Sequence, residues 1–191
     1  MRALFGLEGQ VGPVSRSLQA VALALLLLVA GCTAPVADGG DGRPGQSVTV
    51  SLSNQHDQRY AVRIVVASGD LEGVRVTYEN GSSRTYAVPN VSALPSAARV
   101  NATDLGLLGE DLRSERFVLA PNSGLGTTFE DVPADSRLVY VVTDAGGNGA
   151  LRSVGVSRCA ADGARMDFSL EIGPDGSLDV ATICTTATTN G

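Results

Sequence analysis

The stretch "SVTVSLS", Ser47 to Ser53, decides the fold. Val48, Val50 and Leu52 alternate with hydroxyl residues, and successive side chains of an extended chain point to opposite faces. A period of two with one apolar face predicts a half-buried strand. The same pattern recurs on both sides of it. Going forward, "RYAVRIVVAS" (Arg59 to Ser68) places Tyr60, Val62, Ile64 and Val66 inward, and "VRVTYE" (Val74 to Glu79) aligns Val74, Val76 and Tyr78. "NGSS" then carries Asn-Gly, the strongest short hairpin signal, and "RTYAV" returns. These four strands are expected to open the fold as a meander.

Pro89 to Glu115 is the least strand-like part. Its Ala and Leu content predicts one or two short helical turns in a crossover between sheets. Leu105, Leu107, Leu108 and Leu112 would cap one end of the core, and Pro89 and Pro95 discourage a long helix. Strands resume at "RFVLA" and "GTTFEDVP", and "RLVYVVTD" (Arg137 to Asp144) is apolar enough to be central. "LRSVGVSRC" follows, and "ARMDFSLEI", the turn "GPDG" and "SLDVATICT" make a closing hairpin. About nine short strands at intervals of about 8–12 residues predict an all-β fold, an antiparallel β-sandwich. An immunoglobulin-like Greek key is favoured, without the buried tryptophan of antibody domains, since the chain has no Trp. "TTFEDVPADSRLVYVV" faintly resembles transthyretin-like and carboxypeptidase-regulatory β domains, so a transthyretin-like sandwich is the other form.

Upstream the composition is different. Ala20 to Gly31 is an unbroken run of small and apolar residues, twelve long. A bilayer-crossing helix needs about 20. With Arg2 and Arg16 before it, the run has the length and flanks of a signal peptide. It ends in Val29-Ala30-Gly31-Cys32, which resembles the lipobox of secreted lipoproteins. That resemblance implies cleavage before Cys32 and a lipid on its sulfur. Thr33 to Gln46 is Gly, Pro, Asp and Ala without periodicity and reads as a flexible tether. The expected organisation is a signal helix over 1–31, a linker over 32–46 and a β-sandwich over 47–187.

From Cys32 onward the chain has 160 residues, one domain's worth, with 12 Arg, no Lys and 19 acidic residues. The negative balance argues against nucleic acid and anionic lipid as partners. The lack of lysine, the acidic surface and the lipobox together resemble a surface lipoprotein of a halophilic archaeon. Cys159 and Cys184 form an even pair in an exported domain and are expected to bond. Pairing Ile172 with Ser177 in the closing hairpin sets Cys184 opposite Arg165, at the same end of the sheet as Cys159.

No stretch carries a catalytic constellation. "PNSGLG" and "GVSRC" both miss the G-x-S-x-G nucleophile elbow, and "AGGNGALRS" lacks the lysine of a phosphate loop. His56, the one histidine, reads as an exposed turn residue, and a metal site would need more ligands. The neighbours Glu110-Asp111 and Glu130-Asp131 would point apart, whereas glycosidase chemistry needs carboxyls facing across a cleft. Asn80, Asn90 and Asn101 begin Asn-x-Ser/Thr sequons and are candidate N-glycosylation acceptors, clustered on an edge expected to face solvent. The expectation is therefore a protein without catalytic residues, metal or cofactor. It is held to the membrane by a lipid on Cys32 and serves as a binding or structural module at the cell surface. Two alternatives stand beside it: an accessory subunit meeting a protein partner in a membrane complex, and a hydrolase using carboxylates from loops.

Overall fold

The computed structural model describes residues 45–146, 149–159 and 164–186. The expected signal segment, Cys32 and most of the linker lie outside them. The described chain is all-β apart from two 3₁₀ turns. In order it forms β1 (Gln46–Asn54), β2 (Tyr60–Ala67), β3 (Gly73–Tyr78) and β4 (Ser83–Tyr86), the turns Val91–Ala93 and Ser96–Arg99, β5 (Ala102–Leu108) and β6 (Leu112–Leu119). β7 (Ser123–Val132), β8 (Arg137–Asp144), β9 (Leu151–Arg158), β10 (Ala164–Ile172) and β11 (Leu178–Thr186) follow.

The strands make three sheets, ordered β11-β10-β1-β7, β6-β2-β8-β9 and β4-β3-β5. The first two face each other as a β-sandwich. Val48, Val50 and Leu52 of β1 and Met166, Phe168 and Leu170 of β10 meet Val62, Ile64, Leu138 and Val142 of β2 and β8. Tyr140 of β8 packs on Phe168, ring centroids 5.7 Å apart, and crosses its β9 partner Gly155, where a Cβ would lie 2.5 Å from the ring. The third sheet and both 3₁₀ turns cover the other face of the middle sheet. There Val65, Ala67, Val139 and Val141 pack with Val74, Val76, Leu105, Val91 and Leu94. β2 is thus buried on both faces, and its near-continuous apolar run is what double burial demands.

The structure corrects the expected meander. β1 pairs with β7 and β10, β2 with β6 and β8, and β3 with β4 and β5, so the four opening strands are shared among all three sheets. Alternation fixes which residues face inward but not which strand lies alongside. β1–β10 is parallel, a pairing the sequence reading did not contain. The stretch Pro89 to Glu115 holds the two short turns but also all of β5. Leu105, Leu107 and Leu112 serve the outer cluster rather than capping an end of the main core. Thus eleven strands stand among the described residues where about nine were expected. In the closing hairpin Ile172 pairs with Leu178, one residue beyond the expected register, so Cys184 lies opposite Met166. The cause is the turn: Gly173 N–H donates to the Ser177 carbonyl at 2.8 Å, which makes Ser177 part of the loop.

Candidate functional site

Strand directions divide the sandwich into two ends. One is where β1 begins. Gln46, its first residue, is buried and donates from Nε2 to the Pro133 carbonyl at 3.1 Å. Cys159 and Cys184 are disulfide-bonded at the same end, with Cα atoms 5.7 Å apart. β9 and β11 are the edge strands of the two facing sheets, so the bond closes the sandwich along one side. Thr182 donates its hydroxyl to Ser157 at 2.9 Å along the same seam. A cleft of about 380 Å³ opens at this end, lined among others by Ser68, Asp111, Arg113 and Ser136. Arg113 donates to the carbonyls of Glu130 and Asp131 at 2.6 and 3.3 Å. The fold therefore gathers both acidic pairs to one end. Asp111 and Asp131 adopt positive φ (52° and 54°), a conformation that short Asp side chains tolerate.

The opposite end is built of turns tied to one another. Asn54 donates to the carbonyls of Gln58 and Ala120, both at 2.9 Å, and Gln55 N–H donates to the Ile172 carbonyl at 2.7 Å. His56 is not an exposed turn residue. Its side chain is 17% exposed, its ring meets Tyr60 edge-on at 5.7 Å, and its Nδ1 accepts from Gln58 N–H at 3.1 Å. Sequence reasoning missed this because Tyr60, four residues on, folds back over the turn. In the neighbouring turn Asp175 accepts from Ser177 N–H at 3.0 Å, and the Ser177 side chain and backbone hold its carboxyl below the ordinary value of 3.8. Arg152 donates to Asp144 at 2.7 Å, and that bond raises the guanidinium above its already high value.

The third sheet carries a groove of about 460 Å³ beside the β3–β4 turn, lined by Tyr78, Glu79, Asn80, Arg84, Val100 and Asn101. The Tyr78 and Tyr86 hydroxyls are 2.9 Å apart, and the Arg84 guanidinium lies 5.1 Å from the centre of the Tyr86 ring. The hydrogen bond with Tyr86 and, after it, burial raise the Tyr78 phenol, so it stays protonated at neutral pH. The groove offers hydroxyls, an amide, a carboxylate and a cation on an aromatic face. Such groups bind polar surfaces. Among the described residues no group of three or more His, Cys, Asp or Glu is placed to hold a metal ion.

Residues 14–190 match the family described as Halobacterial Ig domain protein. The chain belongs to that family. No curated protein matches it. Among solved structures, the T6SS lipoprotein TssJ1 from Pseudomonas aeruginosa is 14% identical with a TM-score of 0.40, over 73% of this chain and 98% of that one. The human-specific toxin intermedilysin is 6% identical with a TM-score of 0.33, over 73% of this chain and 24% of the toxin.

In this halobacterial Ig domain the three sequons do not form one cluster. Asn80 and Asn101 line the same groove at the end away from the start of β1. Asn90 instead precedes the first 3₁₀ turn and caps it, its Oδ1 accepting from Ala93 N–H at 3.0 Å. The tyrosine and arginine of the groove were missed in the sequence because aromatics make up only 4% of the chain. Pairing residues across Asn80-Gly81 would have set Arg84 on the same face as Val74, Val76 and Tyr78, since Val76 faces Arg84.

Proposed function

We propose that this chain is an exported lipoprotein whose Ig-type domain works without catalysis, as a binding or structural module at the cell surface. A lipid on Cys32 holds it to the membrane. The observation that supports this most is where the domain starts. β1 begins at Gln46, at the end that also carries the disulfide, and only Thr33 to Gly45 separate it from Cys32. The end opposite the disulfide, with its tied turns and polar groove, is then the surface open to a partner. A diacyl-type lipid on one cysteine supplies the two chains that stable anchoring needs.

Detergent phase partitioning tests the anchor. The protein from its host membranes is expected in the detergent phase, and Cys32→Ser in the aqueous phase. Retention of Cys32→Ser in the detergent phase would overturn the proposal.

A further inference from the structure

The three sequons differ in what the fold does with the middle residue and the hydroxyl. A glycosyl transferase must surround the whole Asn-x-Ser/Thr tripeptide, so all three residues have to be reachable. In Asn90-Val91-Ser92 the middle residue is 1% exposed and sits in the outer core, while the asparagine oxygen caps the 3₁₀ turn. In Asn101-Ala102-Thr103 the middle residue is 2% exposed, and the threonine hydroxyl donates to the Thr77 carbonyl at 3.3 Å. Neither tripeptide can enter another protein's active site while the third sheet is folded.

Asn80-Gly81-Ser82 is the opposite case. All three residues are exposed at the β3–β4 turn. Gly81 has φ +78°, and a Cβ built there would meet no atom within 4 Å. Ser82 N–H and Ser82 Oγ both bond Asn80 Oδ1, at 2.9 and 2.7 Å. The oxygen side of the amide is thus fixed toward the turn, which turns the Nδ2 side away from it.

We infer that Asn80 is an N-glycosylation site of the folded domain and that the fold shields Asn90 and Asn101 from the same enzyme. The substrate class is a lipid-phosphate-linked oligosaccharide. Asn80 Nδ2 forms the bond to the anomeric carbon and gives up one proton, and the lipid phosphate leaves. The glycan would stand at the mouth of the groove beside Tyr78 and Arg84, at the end away from β1's start. Like the anchor, the modification requires export, but it does not require the lipid.

The chain has no lysine, so trypsin places each sequon in its own peptide: Val76 to Arg84, Thr85 to Arg99 and Val100 to Arg113. The test is mass spectrometry of these peptides from protein isolated from a halobacterial host. The peptide at Cys32 is read in the same digest, so the anchor is judged separately. Glycan mass on Val76 to Arg84 alone is expected, lost in Ser82→Ala and kept in Ser82→Thr. A bare Asn80 overturns the inference whatever the state of Cys32. So does a glycan on all three asparagines, because transfer would then precede folding.

Discussion

β2 has two faces, and the fold buries them by different means. Its Tyr60, Val62, Ile64 and Val66 face meets the long strands β1 and β10, where every inward residue from Val48 to Leu52 and from Met166 to Ile172 is buried. Its Val65 and Ala67 face meets shorter strands and two 3₁₀ turns, and half-buried residues such as Tyr78, Tyr86 and Leu107 finish the cover. The same face also carries Arg63, which donates to the Leu105 carbonyl at 3.0 Å and pairs with Asp104 at 3.0 Å. One core is apolar throughout, while the other is pinned by a charge. The difference teaches that the main sandwich is held by apolar burial with a disulfide along one seam, and the outer layer by burial with a partly buried ion pair as its directional tie.

The strongest way to break this comparison is to empty each core in turn. Phe168→Ala should cost about 3–5 kcal/mol, and Leu105→Ala about 2–4 kcal/mol. Denaturant unfolding measures both. Hydrogen exchange separates them: Leu105→Ala should release β3–β5 amides and leave β1 and β10 protected. The second effect is the disulfide. Its sequence separation of 25 residues corresponds to about 3.5 kcal/mol of chain entropy, and Cys184 is exposed to reductant. Reduction should lower the denaturation midpoint accordingly. The third is Arg63→Ala, expected to cost about 1–2 kcal/mol, because its pair with Asp104 is partly exposed and screened. Asp104→Asn, which keeps the shape, should cost less.

The smallest effect lies outside both cores. The Ser177 side chain and backbone lower the Asp175 carboxyl, so the folded state favours its charged form. That contribution is present above the ordinary carboxylate value and is lost as pH falls through the lowered one. A carboxyl titration by NMR should find Asp175 below 3.8. Ser177→Ala should return it toward that value.

Much of the main sandwich was legible. β1 and the β10–β11 hairpin follow from alternation and the Gly173–Gly176 turn, β8 follows from its apolar run, and the cysteine pair holds in either register because both keep Cys159 and Cys184 at one end. The outer layer was not legible. In "YAVRIVVA" the second apolar face was already present in Val65 and Ala67, but a one-faced reading discards it. β5 was hidden because Leu105, Leu107 and Leu108 stand as closely as residues of a helix do. Strand partners were hidden for a general reason, since pairing is set by distant packing and not by local period. Of the candidate site, the sequons and cysteines were motifs and could be found. The groove that joins Tyr78 and Arg84 exists only once β3 and β4 are in register.

The central claim is that this Ig domain is held to the membrane by Cys32. Mass spectrometry of the N-terminal peptide from membrane-extracted protein tests it most directly. The account predicts a chain that begins at Cys32 with lipid on the sulfur. A peptide that continues upstream of Cys32, or one that begins there with a free thiol, would contradict it.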